Sequence, residues 1–438
     1  MKKLLVILIS LLMTLSVVAF AGCSEESYRT GEGTNINSLA VRNLKRGTYM
    51  AETMYEDFFD ETREFAHRNI PRIQSESDFS DCWRYTGLFS MMLRLNELNG
   101  KKNTEQFENL VSAFDYYKGK RTGYRPGIND DEDTLYTVFA VNRGRGKFLA
   151  EAGGQLSVFD DQIWIAREYL NAYRIYGNQT YLDTAKELSD YIYRSGWMPN
   201  IGGITWGQTY NTRHACSNAP FVKVLIELAE TVEKNNDANL AKQYKEWATN
   251  VYEWTYSTLR DPSDNLYWDL VGTIFDADGT PIRNDGIDTA KYTYNSGAMI
   301  SAGVAMYKMT GQQRYLDEAK ATAESCYNKF GVHSFVDGCT MYPSDTTTWF
   351  NLVMYIGYYD LFLADNTQTK YLDDLQRTID YAYENFGRDG YIPVSWLIGW
   401  EKGWEKSDCK NLLDHSSHAE TYLLLAQYQE SKEKLANS

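Results

Sequence analysis

From about residue 40 onward, apolar side chains recur with the period of a helix rather than the alternation of a strand. Leu240, Tyr244, Trp247, Val251 and Trp254 step by four, three, four and three, and Leu372, Leu375, Ile379, Ala382 and Phe386 step by three, four, three and four. Such a stripe buries one face of a helix and leaves the other in water. The pattern predicts about twelve helices, near residues 37–66, 81–98, 104–118, 160–176, 180–195, 213–233, 238–259, 292–310, 314–329, 345–364, 371–386 and 415–433.

An internal echo says how these helices are arranged. Tyr173 to Gly177, three further residues, then Tyr181-Leu182-Asp183 and Ala185-Lys186 recur as Tyr307 to Gly311, three residues, then Tyr315-Leu316-Asp317 and Ala319-Lys320. Tyr371-Leu372-Asp373 begins a third copy after Asn366. Each is a helix, a Gly or Asn stop and a second helix, the unit of a helical repeat. Twelve helices joined alternately by short and long connections predict an all-α chain, an (α/α)6 barrel whose inner helices begin at one end. Residues 119–159, with a strand near Leu135 to Val141, and residues 260–291, with a small β-hairpin turning at Asp278-Gly279, are the long loops on that face.

The inner-helix starts collect polar and aromatic side chains suited to a concave ligand site. They are Asp81-Cys82-Trp83, Asp160-Asp161, Arg213-His214, Tyr292 to Asn295, Asp345 with Trp349, and His415 with His418. Asp81 and Asp345 are equally placed to cap their helices. His415 and His418 have the spacing of a helical metal pair but lack a third ligand, so polar surface or cleft positions are expected, and Arg213 and His214 are expected in the groove wall. Asp276 and Asp278 read as a hairpin turn rather than a calcium loop, and the acidic run Asp130 to Asp133 as a solvated loop. No metal and no cofactor are expected.

Composition narrows the ligand. The chain has 438 residues, with 34 Tyr, 11 Trp and 18 Phe, and flat rings that bury apolar area also stack on sugars. The net charge of -15 opposes nucleic acid, anionic membrane faces and polyuronates. Residues 1–23 read as a secretion signal: Lys2 and Lys3, an apolar run from Leu4 to Phe20, then Ala21-Gly22 before Cys23. Small residues ahead of a Cys resemble a bacterial lipobox, so Cys23 is the expected lipidated N-terminus of an exported lipoprotein, at the cell surface or in the outer membrane or periplasm. Residues 24–37 read as a tether and residues 38–438 as one domain. The remaining five cysteines show no disulfide framework.

Asp160-Asp161, where loop becomes helix, is the strongest chemical signal. Adjacent carboxylates repel and push one pKa upward, while a helix N-terminus favours the charged form of the other. Glycosidic cleavage commonly needs such a division between a general acid and a nucleophile or base. Neighbouring Cα atoms lie about 3.8 Å apart, which suits the roughly 5 Å carboxyl separation of retaining enzymes better than the wider inverting one.

Asp160-Asp161-Gln162-Ile163-Trp164, the Tyr-Leu-Asp hairpin, Gly202-Gly203-Ile204-Thr205-Trp206, Ser217-Asn218 and Thr293-Tyr294-Asn295, in that order, resemble glycoside hydrolase family 76, the endo-α-1,6-mannanases. The resemblance spans most of the chain from about residue 40. It implies an (α/α)6 barrel, a retaining mechanism and a cleft for the α-1,6-linked backbone of yeast-type α-mannan, with Asp160 as nucleophile and Asp161 as general acid/base. Trp164, Gly202, Gly203, Trp206, Asn218, Tyr294, Asn295, Trp83 and Trp349 are the candidate substrate-binding residues. Ile165 stands where the family often has a second aromatic, and Ser296 where it usually has Gln.

The expected partner is therefore α-mannan or a manno-oligosaccharide, met by a monomer that touches the membrane only through its lipid anchor. Two other readings stay open: a non-catalytic surface glycan-binding lipoprotein, and a transglycosylase of the same fold. Uronyl hydrolases and polysaccharide lyases share the barrel, but their polyanionic substrates call for a basic groove.

Overall fold

The computed structural model describes residues 38–129, 132–151, 157–401 and 409–437. Cys23, the tether, and Asp130 and Asp131 of the acidic run lie outside them. Among the described residues are twelve α-helices: α1 (Leu39–Phe58), α2 (Cys82–Leu98), α3 (Thr104–Phe114), α4 (Phe159–Tyr176), α5 (Gln179–Gly196), α6 (Ala215–Lys234), α7 (Ala238–Leu259), α8 (Thr293–Thr310), α9 (Gln313–Phe330), α10 (Trp349–Ala364), α11 (Lys370–Phe386) and α12 (Leu412–Ala436).

The even-numbered helices form the inner ring. α2 packs on α4, α4 on α6, α6 on α8, α8 on α10, α10 on α12 and α12 back on α2, closing an (α/α)6 barrel. An inner helix meets neighbours on every side, so α8 is buried at Thr293 and at every position from Asn295 to Met306. An outer helix such as α11 keeps a polar face and buries Tyr371, Leu372, Leu375, Ile379 and Ala382. Where α8 and α10 cross, Gly297 and Gly357 replace side chains, and a Cβ on Gly297 would lie 2.7 Å from the Met354 nitrogen.

Both full copies of the repeat turn on a glycine in the left-handed region, Gly177 at φ 72° and Gly311 at φ 71°. α1 is shorter than its periodicity predicts. It stops at Phe58 because the chain doubles back as a two-residue hairpin, β1 (Phe59–Asp60) on β2 (Phe65–Ala66). A short strand β3 (Asn69–Ile70) pairs with β9 (Lys410–Asn411), just before α12. The first loop insertion carries β4 (Lys118–Thr122) and β5 (Leu135–Phe139), paired antiparallel. The second carries the expected hairpin, β7 (Leu270–Phe275) and β8 (Pro281–Asp288), turned by Asp276, whose Oδ1 accepts from the N–H groups of Asp278 and Thr280. That hairpin recruits a third strand, β6 (Thr212–His214), so Arg213 and His214 are strand residues ahead of α6 rather than its first turn.

Candidate active site

Asp160 and Asp161 occupy the first turn of α4, behind Val158 as its N-cap. Gln162 anchors this turn to β5: its amide accepts from the Phe139 N–H at 2.8 Å and donates to the Phe139 carbonyl at 2.7 Å. The Phe159 N–H donates to the Trp206 carbonyl at 2.7 Å, and the Trp206 indole Nε1 donates to Asp160 Oδ1 at 3.0 Å. One residue, 46 positions downstream, thus holds both the backbone and the first carboxylate of the helix start.

The turn that carries Trp206 is built by residues that the sequence marks as binders. Gly202 and Gly203 have φ of 73° and 86°, and a Cβ on either would meet the Trp254 ring at 2.5 Å. Arg213, fully buried, donates to the Gly202 carbonyl at 2.7 Å. The Asn218 carboxamide accepts from the Ile204 N–H at 2.7 Å and donates to its carbonyl at 2.8 Å. Gly202, Gly203 and Asn218 therefore face the packed interior beside Trp254 and α6, not the cleft. Asn295 is also buried, and its amide donates to Asp269 Oδ1 at 3.0 Å.

The other candidates do converge. Asp160, Asp161, Trp164, Trp206, Tyr294, Trp83 and Trp349 line one cleft of about 400 Å³, together with Asp81, Arg84, Tyr210 and Phe350. That volume lies within the roughly 300–1,000 Å³ of small-molecule sites. The Trp349 ring meets Trp83 at 5.6 Å and Trp164 at 5.0 Å edge-on, while Phe350 stacks on Tyr294 at 4.0 Å and on Trp83 at 5.9 Å. The aromatic wall thus presents both edges and faces to a ligand.

Burial sets the electrostatics. Each catalytic candidate keeps part of its surface in the cleft, yet the protein packed around them is dense enough to dominate both pKa values. Burial pushes Asp161 well above the usual carboxylate range, and the charges of Asp160 and Asp81 push it further. Burial also raises Asp160, but the Trp206 indole, the Cys216 thiol and helix-start N–H groups oppose the rise. Asp160 is consequently the readier of the two to ionise, and Asp161 the readier to hold a proton. His214 is pushed down to about 4 by burial, so it is neutral where it stacks on Trp206, centroids 5.1 Å apart.

Several sequence assignments change in the folded chain. Asp81 caps α2, accepting from the Arg84 N–H at 3.0 Å, while also reaching the cleft. Asp345 is exposed, and α10 begins only at Trp349. His415 and His418, expected at surface or cleft positions, are buried in α12 because the 391–400 segment lays Tyr391, Trp396 and Trp400 over them. Cys216, Tyr210, Arg84 and Phe350 are cleft or carboxylate neighbours that sequence reasoning missed. The available signals were adjacency to Trp349 for Phe350, to Trp83 for Arg84 and to Ser217-Asn218 for Cys216.

The family profile described as Glycosyl hydrolase family 76 matches residues 44–388. No curated protein sequence matches the chain. Among solved structures, a family 76 glycoside hydrolase (mannosidase) of Bacteroides thetaiotaomicron superposes with a TM-score of 0.71 at 21% identity, covering 89% of this chain and 99% of that one. An α-1,6-mannanase of a Salegentibacter species, an inactive variant with two consecutive aspartates changed to asparagine and in complex with α-1,6-mannotriose, superposes at 0.65 with 18% identity, covering 88% and 99%. An unsaturated glucuronyl hydrolase specific for heparin reaches 0.55 at 13% identity, covering 90% and 97%. The barrel is therefore shared across different chemistries, and function has to be argued from the site.

Proposed function

The chain belongs to glycosyl hydrolase family 76 and is a glycoside hydrolase, and on that premise we propose that it is a retaining, endo-acting α-1,6-mannanase of yeast-type mannan. The observation that carries the reading is the adjacent carboxylate pair, Asp160 and Asp161, split by its surroundings into a member readier to ionise and a member readier to hold a proton, both lining an aromatic cleft. The Salegentibacter structure supports it: there, consecutive aspartates are replaced in a variant called inactive that holds α-1,6-mannotriose.

In the first step Asp160 attacks the anomeric carbon while Asp161 gives its proton to the departing glycosidic oxygen, leaving a glycosyl ester on Asp160. In the second, water attacks that carbon, Asp161 takes its proton, and the Asp160 carboxylate is released. The cleft rings supply stacking area for a neutral sugar, and the net charge of -15 repels polyanions. Cys23 anchors the enzyme as an exported lipoprotein monomer, which puts it where polymeric glycan is met.

The test is incubation of α-1,6-mannan oligosaccharides with wild type, Asp160→Asn and Asp161→Asn, with the anomer of the first product read by NMR. Retention and loss of activity in both variants are expected. Undiminished activity in either sinks the assignment, and products longer than the substrate mark transglycosylation.

A further inference from the structure

We propose that Trp206 is a positioning residue that holds the Asp160 carboxylate in one orientation, a role distinct from sugar stacking and resting on Asp160 being the nucleophile. The geometry begins with the indole. Trp206 Nε1 donates to Asp160 Oδ1 at 3.0 Å, which leaves Oδ2 as the oxygen to attack.

The ring has little freedom to move. Its backbone is tied at both groups, the carbonyl accepting from the Phe159 N–H at 2.7 Å and the N–H donating to the Thr212 carbonyl at 2.9 Å. One side of the indole stacks on His214 at 5.1 Å, with 23° between planes, and His214 is itself tied to Thr212 Oγ1 at 2.9 Å through Nε2. Tyr210 packs at 4.7 Å as well. The indole N–H direction is thus set by packing, the condition for a group that aims another.

The indole donor is neutral. It fixes the carboxylate without pairing its charge away, and after attack Oδ1 becomes the ester carbonyl that still accepts from Trp206.

Trp206→Phe keeps the ring and deletes the N–H. On an α-1,6-manno-oligosaccharide it is expected to lower kcat about tenfold with KM within about twofold, the scale of one hydrogen bond to a charged group. The acidic limb of kcat/KM should move to higher pH. A raised KM with unchanged kcat and limb would reduce the residue to a stacking surface and overturn the proposal. A readout free of turnover separates this from the mannanase reading. The indole N–H resonance that Trp206→Phe removes should move upfield in Asp160→Asn, and an unmoved resonance overturns the contact even if no mannan is cleaved.

Discussion

The Asn218 carboxamide pairs with the backbone of Ile204 as a neighbouring strand would, accepting at 2.7 Å and donating at 2.8 Å. It also donates to the His214 carbonyl at 2.7 Å, so one side chain joins the Trp206 turn to the start of α6. Asn218→Leu strands the buried N–H and carbonyl of Ile204, at about 1–3 kcal/mol for each group left unpaired. Denaturant unfolding should show a loss of about 2 kcal/mol or more. Substrate KM should change less than kcat, because the residue lies behind the cleft.

The carboxylate pair predicts a bell-shaped pH profile. Activity should fall on the acidic side as Asp160 takes a proton and on the alkaline side as Asp161 loses one. With a mannoside whose leaving group departs without protonation, Asp161→Asn should retain kcat/KM and show no alkaline limb, whereas wild type shows that limb on a mannan oligosaccharide. Steady-state kcat/KM across pH checks this.

The same burial makes the pair a stability cost. Asp161 has a raised pKa, so the folded chain binds that proton more tightly than the unfolded chain does. Its contribution is fully present below the ordinary carboxylate pKa and is lost as pH rises through the raised folded value. Asp161→Asn cannot titrate, and should be more stable than wild type at neutral pH. The gap should close as pH falls toward the carboxylate range, as read by thermal unfolding at several pH values.

Gly297→Ala should destabilise the barrel through the α8–α10 crossing, since its Cβ would lie 2.7 Å from the Met354 nitrogen and closer still to its Cα. Backbone has to yield there, at about 1–3 kcal/mol. Gly286→Ala, with nothing within 4 Å of the added carbon, is the matched control and should unfold like wild type.

At the opposite end of the barrel, Glu420 on α12 accepts from Arg94 at 3.0 Å and from Ser90 at 3.1 Å, 1% exposed. Glu420→Met leaves Arg94 with only the weaker charge contacts of Glu97 and Glu168, and should cost about 3 kcal/mol, the low end for breaking a buried pair. Adding Arg94→Met should recover much of the loss. A double-mutant cycle by denaturant unfolding measures the coupling.

Much of this was legible before folding. Helix positions follow from periodicity because a helix buries its stripe wherever it packs, and the Gly177 and Gly311 stops need only their own left-handed backbone. The overlong reading of α1 comes from residues 59–66 carrying no Gly or Pro stop, while Phe59-Asp60 and Phe65-Ala66 pair with each other across a hairpin. His415 and His418 were misplaced because the rings that cover them come from residues 391–400, a segment without helical signal.

The sequence by itself determined the all-helical toroid, the family and the carboxylate pair at a helix start, since each rests on local order along the chain. The tertiary structure decided which motif residues meet the ligand. Gly202, Gly203 and Asn218 turned inward to support a loop, while Trp206 reached across 46 residues to Asp160. The physical reason is that a motif records which residues occur together, whereas the direction a side chain faces is set by what packs behind it. Here that backing is Trp254, Arg213 and His214, and only the folded barrel brings them there.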